Sequence, residues 1–446
     1  MKRAAPLPLA PGLFTFLALL IVASPAEETA TGNWPRFRGP DGAGVSADTA
    51  VPLTWSESEN LKWRADLPGP GSSSPIVWGD RVFVTCYSGY GVGQQGGGDP
   101  LNLNRHLLCF DAGNGQLLWE KTIPAPLPED EYRGFIAEHG YASQTPVTDG
   151  ERVYVYFGKG GALAFDFDGK ELWKADLGSR PSSKGWGTST SPILHGDTVI
   201  VNAAEESNAV YALDKKTGNT VWKSEAEPLV SIYGAPVIEK VADDRDDLIL
   251  SVPGEVWGMN PATGKLRWYA GVEVTGNIAA SPVLAGGRII QFGGYPRTMG
   301  VAVKSGGKGD VSESSVLWHS NDAKSYLTSP VYFEGKLYWV SDAGIAGCAD
   351  PETGEIVFEE RVPELNAGGG GGGRGKPFYA SPIVVNGHLV AVSRTAGAFV
   401  MAAKPEFEFV RVNRIAGDDS RFQGTPAVAN GKLYLRSEKA IYCVGQ

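Results

Sequence analysis

The sequence predicts an all-β protein, an eight-bladed propeller of four-stranded antiparallel blades. Three observations predict it. A short hairpin pattern recurs from residue 74 to the C-terminus, a second pattern ending in an aromatic residue follows most copies, and a lone strand near the N-terminus supplies what the last copy lacks. The length of 446 residues exceeds one average domain but suits a repeat architecture. Gly, Pro and aromatic residues are frequent and helical periodicity is nearly absent, as many tight turns between short strands require.

Taken in order, residues 1–26 read as a secretion signal. Lys2 and Arg3 make a basic start, "LFTFLALLIVA" (13–23) is the apolar core, and Ser24-Pro25-Ala26 offers small residues for cleavage. The apolar core is too short to span a bilayer comfortably, so no transmembrane span is expected in the mature chain. No Cys lies near its end to carry a lipid. The protein is therefore expected to be exported, to the periplasm or beyond. Losing Lys2 and Arg3 would take the formal charge from −10 to −12, which argues against binding nucleic acid through its phosphates.

Residues 27–60 form an arm whose segment "NWPRFRGPDGAGVS" (33–46) is expected to lie extended against the ring. The propeller then occupies 61–446. "LKWRADL" (61–67) is an isolated strand that closely matches "ELWKADL" (171–177). Seven hairpins follow the form of "SPIVWGDRVFV" (74–84), "TPVTDGERVYV" (145–155) and "SPILHGDTVIV" (191–201), and an eighth at 235–250 carries an acidic insertion. Between them come strands such as "YALDKKTGNTVW" (211–222) and "GCADPETGEIVF" (347–358). Asp214 and Asp350 there can bond to the turn backbone, and Gly218 and Gly354 accept positive φ. The closing aromatic recurs as Trp119, Trp173, Trp222, Trp268, Trp318 and Phe358. Copy eight ends at Gln446 after three strands, so strand 61–67 completes it and closes the ring, leaving no open sheet edge.

The cysteines fit this frame. Cys109, Cys348 and Cys443 share one third-strand position with Ala164, Ala212, Gly258 and Ala302, a slot for a small residue. Packed free thiols are favoured, and a Cys86–Cys109 disulfide is the alternative in an oxidising compartment. No spacing supports a zinc site.

The unusual segments all fall on one face: 87–105, 124–144 and the run "GGGGGGRGKP" (368–377). From Gly370 this run keeps P-loop spacing through Gly375 and Lys376, but Pro377 stands where Ser or Thr is needed and a strand follows instead of a helix. It reads as a mobile interblade loop carrying Arg374 and Lys376. The residues before the recurring Pro include Tyr141, Trp186, Tyr233, Tyr326, Phe378, Tyr379 and Phe422, placed near the mouth of the central channel. They form either a binding rim or aromatics that pack the upper core. His139 is the histidine expected beside this mouth; it has no nucleophile adjacent in sequence and takes no catalytic role. Asp243, Asp244, Asp246 and Asp247 depart from calcium-loop register and read as a solvated acidic turn.

The Asp-x-x-Thr-Gly-x-x-x-Trp pattern with its "Ser-Pro" hairpins resembles the pyrroloquinoline quinone (PQQ)-like propeller repeat across nearly the whole mature chain. Two branches of that group are quinoprotein alcohol dehydrogenases and BamB-type scaffolds of outer-membrane assembly. The dehydrogenase branch would imply PQQ in the channel, calcium on carboxylate and amide ligands, an Asp base and often adjacent cysteines. This sequence has no adjacent cysteines, and its recurring aspartates occupy turns. The expectation is a monomeric, non-enzymatic propeller with no cofactor or metal, binding a protein or polysaccharide partner through Tyr141, Trp186, Tyr233, Tyr326, Tyr379, Phe422, Arg374, Lys376 and His139. A PQQ- and calcium-dependent dehydrogenase is the alternative.

Overall fold

The computed structural model describes Met1 and residues 32–92, 97–365 and 376–446. The leader read at 1–26, apart from Met1, and the Gly-rich run with Arg374 lie outside the described residues. Met1–Thr31 separates as its own unit from Gly32–Gln446. The second unit holds eight sheets, each built on four antiparallel strands, and Gly309–Asp310 adds a fifth, parallel strand to one of them. Blade 1 is Ile76–Trp78, Arg81–Ser88, Asn104–Asp111 and Leu117–Pro124, and its pattern repeats around the ring. Blade 8 takes Ala427–Ala429, Lys432–Arg436 and Ala440–Val444 from the C-terminus. Its fourth strand is Leu61–Asp66, with Trp63 opposite Cys443. The ring is thus closed as the repeat count predicts.

The recurring aromatic owes its place to the neighbouring blade. The indole N–H of Trp119 donates to the Phe167 carbonyl at 2.8 Å, that of Trp173 to Lys215 at 2.9 Å, and that of Trp222 to Pro261 at 2.9 Å. Trp318 reaches Pro351 at 3.1 Å, and Trp63 reaches Ala112 at 3.2 Å across the closure. Each acceptor lies in the turn between strands three and four of the next blade. The turn glycine makes room: a Cβ on Gly264 (φ 69°) would stand 2.4 Å from the Trp222 ring. The small third-strand slot lies directly across from each aromatic, as in Ala212 opposite Trp222 and Cys348 opposite Phe358. All four cysteines are buried and free, and burial pushes the Cys86 and Cys109 thiols up to about 12. Cys86 faces His106, not Cys109, across its strand pair.

The Ser or Thr before each recurring Pro makes a second set of links, at the channel wall. The Ser74 N–H donates to the Thr145 hydroxyl and the Thr145 N–H to that of Ser191, each at 3.0 Å. The chain of links resumes from Ala235 to Ser281, Ser281 to Ser329, Ser329 to Ser381 and Ser381 to Thr425, at 2.9–3.1 Å. Ala235 has no hydroxyl, so no such bond runs from Ser191. Backbone donors that the short first strands leave over are satisfied in this way.

The acidic segment of blade 4 corrects the expectation of a solvated turn. Asp243 and Asp244 are exposed, but Asp247 belongs to strand Arg245–Val252 and is fully buried. It is ion-paired with Arg245 at 2.8 Å and with Arg267, and accepts the Trp268 indole N–H at 2.8 Å. Alternation along the strand carries it inward, which the run of four aspartates concealed.

Among the described residues no helix is long and apolar enough to cross a membrane.

Candidate functional site

The arm does more than lie against the ring: it fills the channel. Trp34 forms a bridge with Val77 of blade 1, and Val45 with Val384 of blade 7. Between them Pro35 accepts from Thr148 of blade 2. The Arg36 guanidinium donates to the Pro236 carbonyl of blade 4 and that of Arg38 to the Pro330 carbonyl of blade 6. One short segment thus touches the innermost strands of five blades. Trp34, Arg36 and Arg38 are 2, 7 and 1 % exposed, so this is a plug. Gly42 and Gly44 supply the space, since a Cβ on either would strike Arg36 or Arg38.

Above the plug lies a cavity of about 170 Å³. Phe37 of the arm lines it, and the Ser/Thr positions of the inner strands surround it. Trp186, Tyr233, Tyr326, Tyr379 and His139 line it too. The Trp186 and Tyr233 rings lie 6.1 Å apart, and Phe135 packs on Trp186 at 4.4 Å. Five of the expected rim residues therefore converge. Lys376 joins them from outside: its ammonium sits 4.0 Å from the Tyr326 ring centre and pairs with Asp342 at 2.6 Å.

Tyr141 and Phe422 lie elsewhere. Tyr141 is buried with Tyr87, Tyr90 and Ile136 and donates its hydroxyl to the Asp130 carbonyl at 2.7 Å. There it anchors a buried ion cluster in which Arg105 meets Glu129 and Lys159 meets Asp130 at 3.0 Å. Phe422 stacks on Tyr442 and lines a separate pocket of about 480 Å³ with Trp55 and Arg414. Phe378 is fully buried in the core.

The segment leading into blade 2 covers part of the mouth with a short helix, Ile136–His139. Glu138 reaches across to Arg394 at 2.5 Å and Arg421 at 3.4 Å, on the segments of blades 7 and 8. Arg394 in turn lies 4.3 Å over the Tyr379 ring. His139 holds the near side: its Nε2 meets the Trp186 carbonyl at 2.9 Å and its Nδ1 the Ser143 hydroxyl at 2.6 Å. Burial pushes the imidazole below the ordinary histidine range, so it is neutral near pH 7. Nε2 then carries the proton for the carbonyl, and Nδ1 accepts from Ser143. Ser143 is four residues away, beyond the adjacency that a sequence scan tests.

Among the described residues no carboxylate lines the cavity. Its described amides are Asn277, bonded to Tyr326 and Lys184, and Gln423, whose NH2 donates to the Glu138 carbonyl while its side-chain oxygen has no partner. Among the described residues no three His, Cys, Asp or Glu side chains converge as a metal site. Calcium wants six to eight oxygen ligands, usually with carboxylates among them, so this donor set does not fit a PQQ–calcium centre. Sequence inspection missed Phe37, Lys184 and Asn277. The Ser/Thr-Pro repeat was visible, but its bonding to the next blade was not.

Eight blades around a hydroxyl-lined channel, five of them docked through a tryptophan on the next blade's turn, define a propeller of the PQQ-like repeat class. The chain belongs to the family described as outer membrane protein assembly factor BamB, whose profile matches residues 103–360. It is 22 % identical over 335 residues to the BamB of Yersinia pestis, covering 67 % of this chain and 82 % of that one. It is 23 % identical over 380 residues to a polyvinylalcohol dehydrogenase of a Pseudomonas species, covering 74 % of this chain but only 52 % of that enzyme. The solved BamB structure from Moraxella catarrhalis superposes with a TM-score of 0.59 at 13 % identity, covering 86 % of this chain and 97 % of that one.

Proposed function

We propose that this propeller is an exported, non-catalytic binding protein that docks a protein or polymer partner on its long-loop face. The observation that carries the reading is the cavity at the channel mouth. It offers aromatic rings and hydroxyls for contact, while the acid–base groups around it are engaged with one another. Aromatic rings give large contact area at small entropic cost, and a rigid ring holds them in place. The basic and apolar start of the chain supports export, and the relation to an assembly factor supports a protein partner. The likeness to a dehydrogenase keeps one alternative, a quinoprotein whose cofactor ligands have diverged.

Two measurements separate these. Peptide and glycan arrays are probed with the wild type and with a Trp186→Ala/Tyr326→Ala variant, and the variant is expected to lose binding at least tenfold. Purified protein is also mixed with PQQ, calcium, an alcohol and a redox dye. Tight quinone uptake with alcohol-dependent dye reduction would overturn the non-catalytic reading, and unchanged array binding would overturn the rim.

A further inference from the structure

We infer that the cavity at the channel mouth is a subsite for a small organic carboxylate carried on a single six-membered ring. The inference deepens the binding reading above and rests on it. Its basis is an excess of free donors, set against one buried acceptor without a partner in the lining, the Gln423 side-chain oxygen. Lys184 extends from the segment before blade 3, with its ammonium 5.1 Å from the Trp186 ring centre, and donates to the Asn277 side-chain oxygen near blade 5. Among the described residues it forms no ion pair. The Tyr233 hydroxyl is buried without a partner. The Tyr326 hydroxyl accepts from the Asn277 amide at 2.8 Å, which leaves its own proton free to donate. The Ser281, Ser329 and Ser381 hydroxyl oxygens each accept one inter-blade N–H, which leaves their protons available to donate.

Beneath the floor the charge has the same sign. Phe37 is flanked by Arg36 and Arg38, whose guanidiniums bond to Pro236 and Pro330; the preceding residues, Ala235 and Ser329, line the cavity. Burial brings the two guanidiniums down to about 10 and 9, so both stay charged near pH 7. Neither forms an ion pair among the described residues, and their Nε atoms and Arg38 Nη1 have no partner. The nearest carboxylate along the arm, Asp41, is exposed. At the rim, Glu138 and Asp342 are matched by Arg394, Arg421 and Lys376. In a chain of net charge −10, this cavity is bordered by three cations, Lys184, Arg36 and Arg38, that form no ion pair among the described residues, and no described carboxylate lines it.

An anion with acceptors only is the complement of such a site. Aromatic walls over a phenyl floor select an organic body over a bare inorganic ion. The volume of about 170 Å³ sets its size. A cavity of roughly 150 Å³ accommodates benzene, so one six-membered ring with its carboxylate at the open mouth fits.

The test is calorimetric titration of the full chain with benzoate and glucuronate. Benzamide and glucose serve as neutral counterparts, and inorganic phosphate as the bare ion. At least one acid is expected to bind at least tenfold more tightly than its counterpart and than phosphate; which acid does so tells an aromatic from a sugar body. Lys184→Met is expected to weaken that acid about tenfold or more while leaving the neutral counterpart unchanged. Tyr233→Phe, which keeps the ring, is expected to weaken it severalfold. Circular dichroism checks that both variants are folded. Equal binding of acid and counterpart, tighter binding of phosphate, no binding of either acid at millimolar concentration, or an unaffected Lys184→Met would each overturn the subsite. Those outcomes leave the partner-docking face standing. Quinone-dependent dye reduction would do the reverse, removing the non-catalytic reading but not the donor-lined subsite.

Discussion

Asp247 has no exposed surface, yet it must stay charged to serve Arg245, Arg267 and Trp268 at once. Burial alone would raise its pKa, but hydrogen bonds from Arg245, Trp268 and Arg267 outweigh burial and hold the carboxyl below its ordinary range. Its stabilisation is therefore present above the ordinary carboxylate range and lost as pH falls through the lower folded value. Asp247→Ala leaves two guanidiniums and an indole unserved and should cost about 3–5 kcal/mol, read as a shift of the urea midpoint at pH 7. Glu206 behaves in the opposite sense. Burial pushes it up to about 7 against the pull of the Tyr156 hydroxyl, which donates to it at 2.6 Å. The folded protein then holds a proton that the unfolded chain has already released. Stability from this group is full below the unfolded value and declines as pH rises to about 7. Glu206→Gln should flatten that decline, gaining on the order of 2–3 kcal/mol relative to wild type at pH 8 in urea titrations across pH.

At the scale of the blade, the fourth-strand aromatic and the next blade's turn act as one unit. Replacing Trp222 by Ala removes a ring packed on Gly264 and a bond to the Pro261 carbonyl, and should cost about 3–5 kcal/mol. Trp222→Phe keeps most of the ring and should cost much less; comparing the two melting curves separates packing from the hydrogen bond. The departures follow the architecture. Gly309–Asp310 pairs alongside blade 4 within the segment that joins strands three and four of blade 5, so Trp268 turns to Asp247. Blade 7 has Arg411 in the aromatic position. Blade 8 offers it no covalent turn there, because its third and fourth strands come from opposite ends of the chain, and Arg411 reaches Thr54 of the arm instead. Period and partner residue were legible in the sequence because each blade spells them within some forty residues. The hydroxyl links were not, since each joins positions that touch only after the ring has formed. Nor was the inward turn of Asp247, which depends on register and not on charge.

Over the whole molecule, the arm replaces solvent in the channel with protein. The amides of Val77, Thr148 and Val384 donate to Trp34, Pro35 and Gly44 of the arm. Deleting residues 33–46 should speed hydrogen exchange at these three amides at least tenfold, while fourth-strand amides on the outside of the blades change little. The sequence marked this segment by its aromatics and arginines as something to be buried. It could not give the place, because contacts such as Arg36 with Pro236 and Arg38 with Pro330 join residues 200 and 292 apart. The candidate rim divided for a related reason: whether a residue before a recurring Pro faces the cavity depends on the segment packed next to it.

The strand Leu61–Asp66, clasped against Ala440–Val444, sets a schedule as well as a shape. It is among the first parts of the ring to be synthesised, and its partner is among the last. Until the end of the chain is available, both must wait with unpaired edges, the longest-range pairing in the fold and the slowest to nucleate. Blades 1–7 can form as their own hairpins are completed, but the circle can close only once. A chain shortened by its last strand should therefore do worse than lose one strand of many. It would keep seven blades and two exposed edges, a half-open ring ready to pair with its neighbour's.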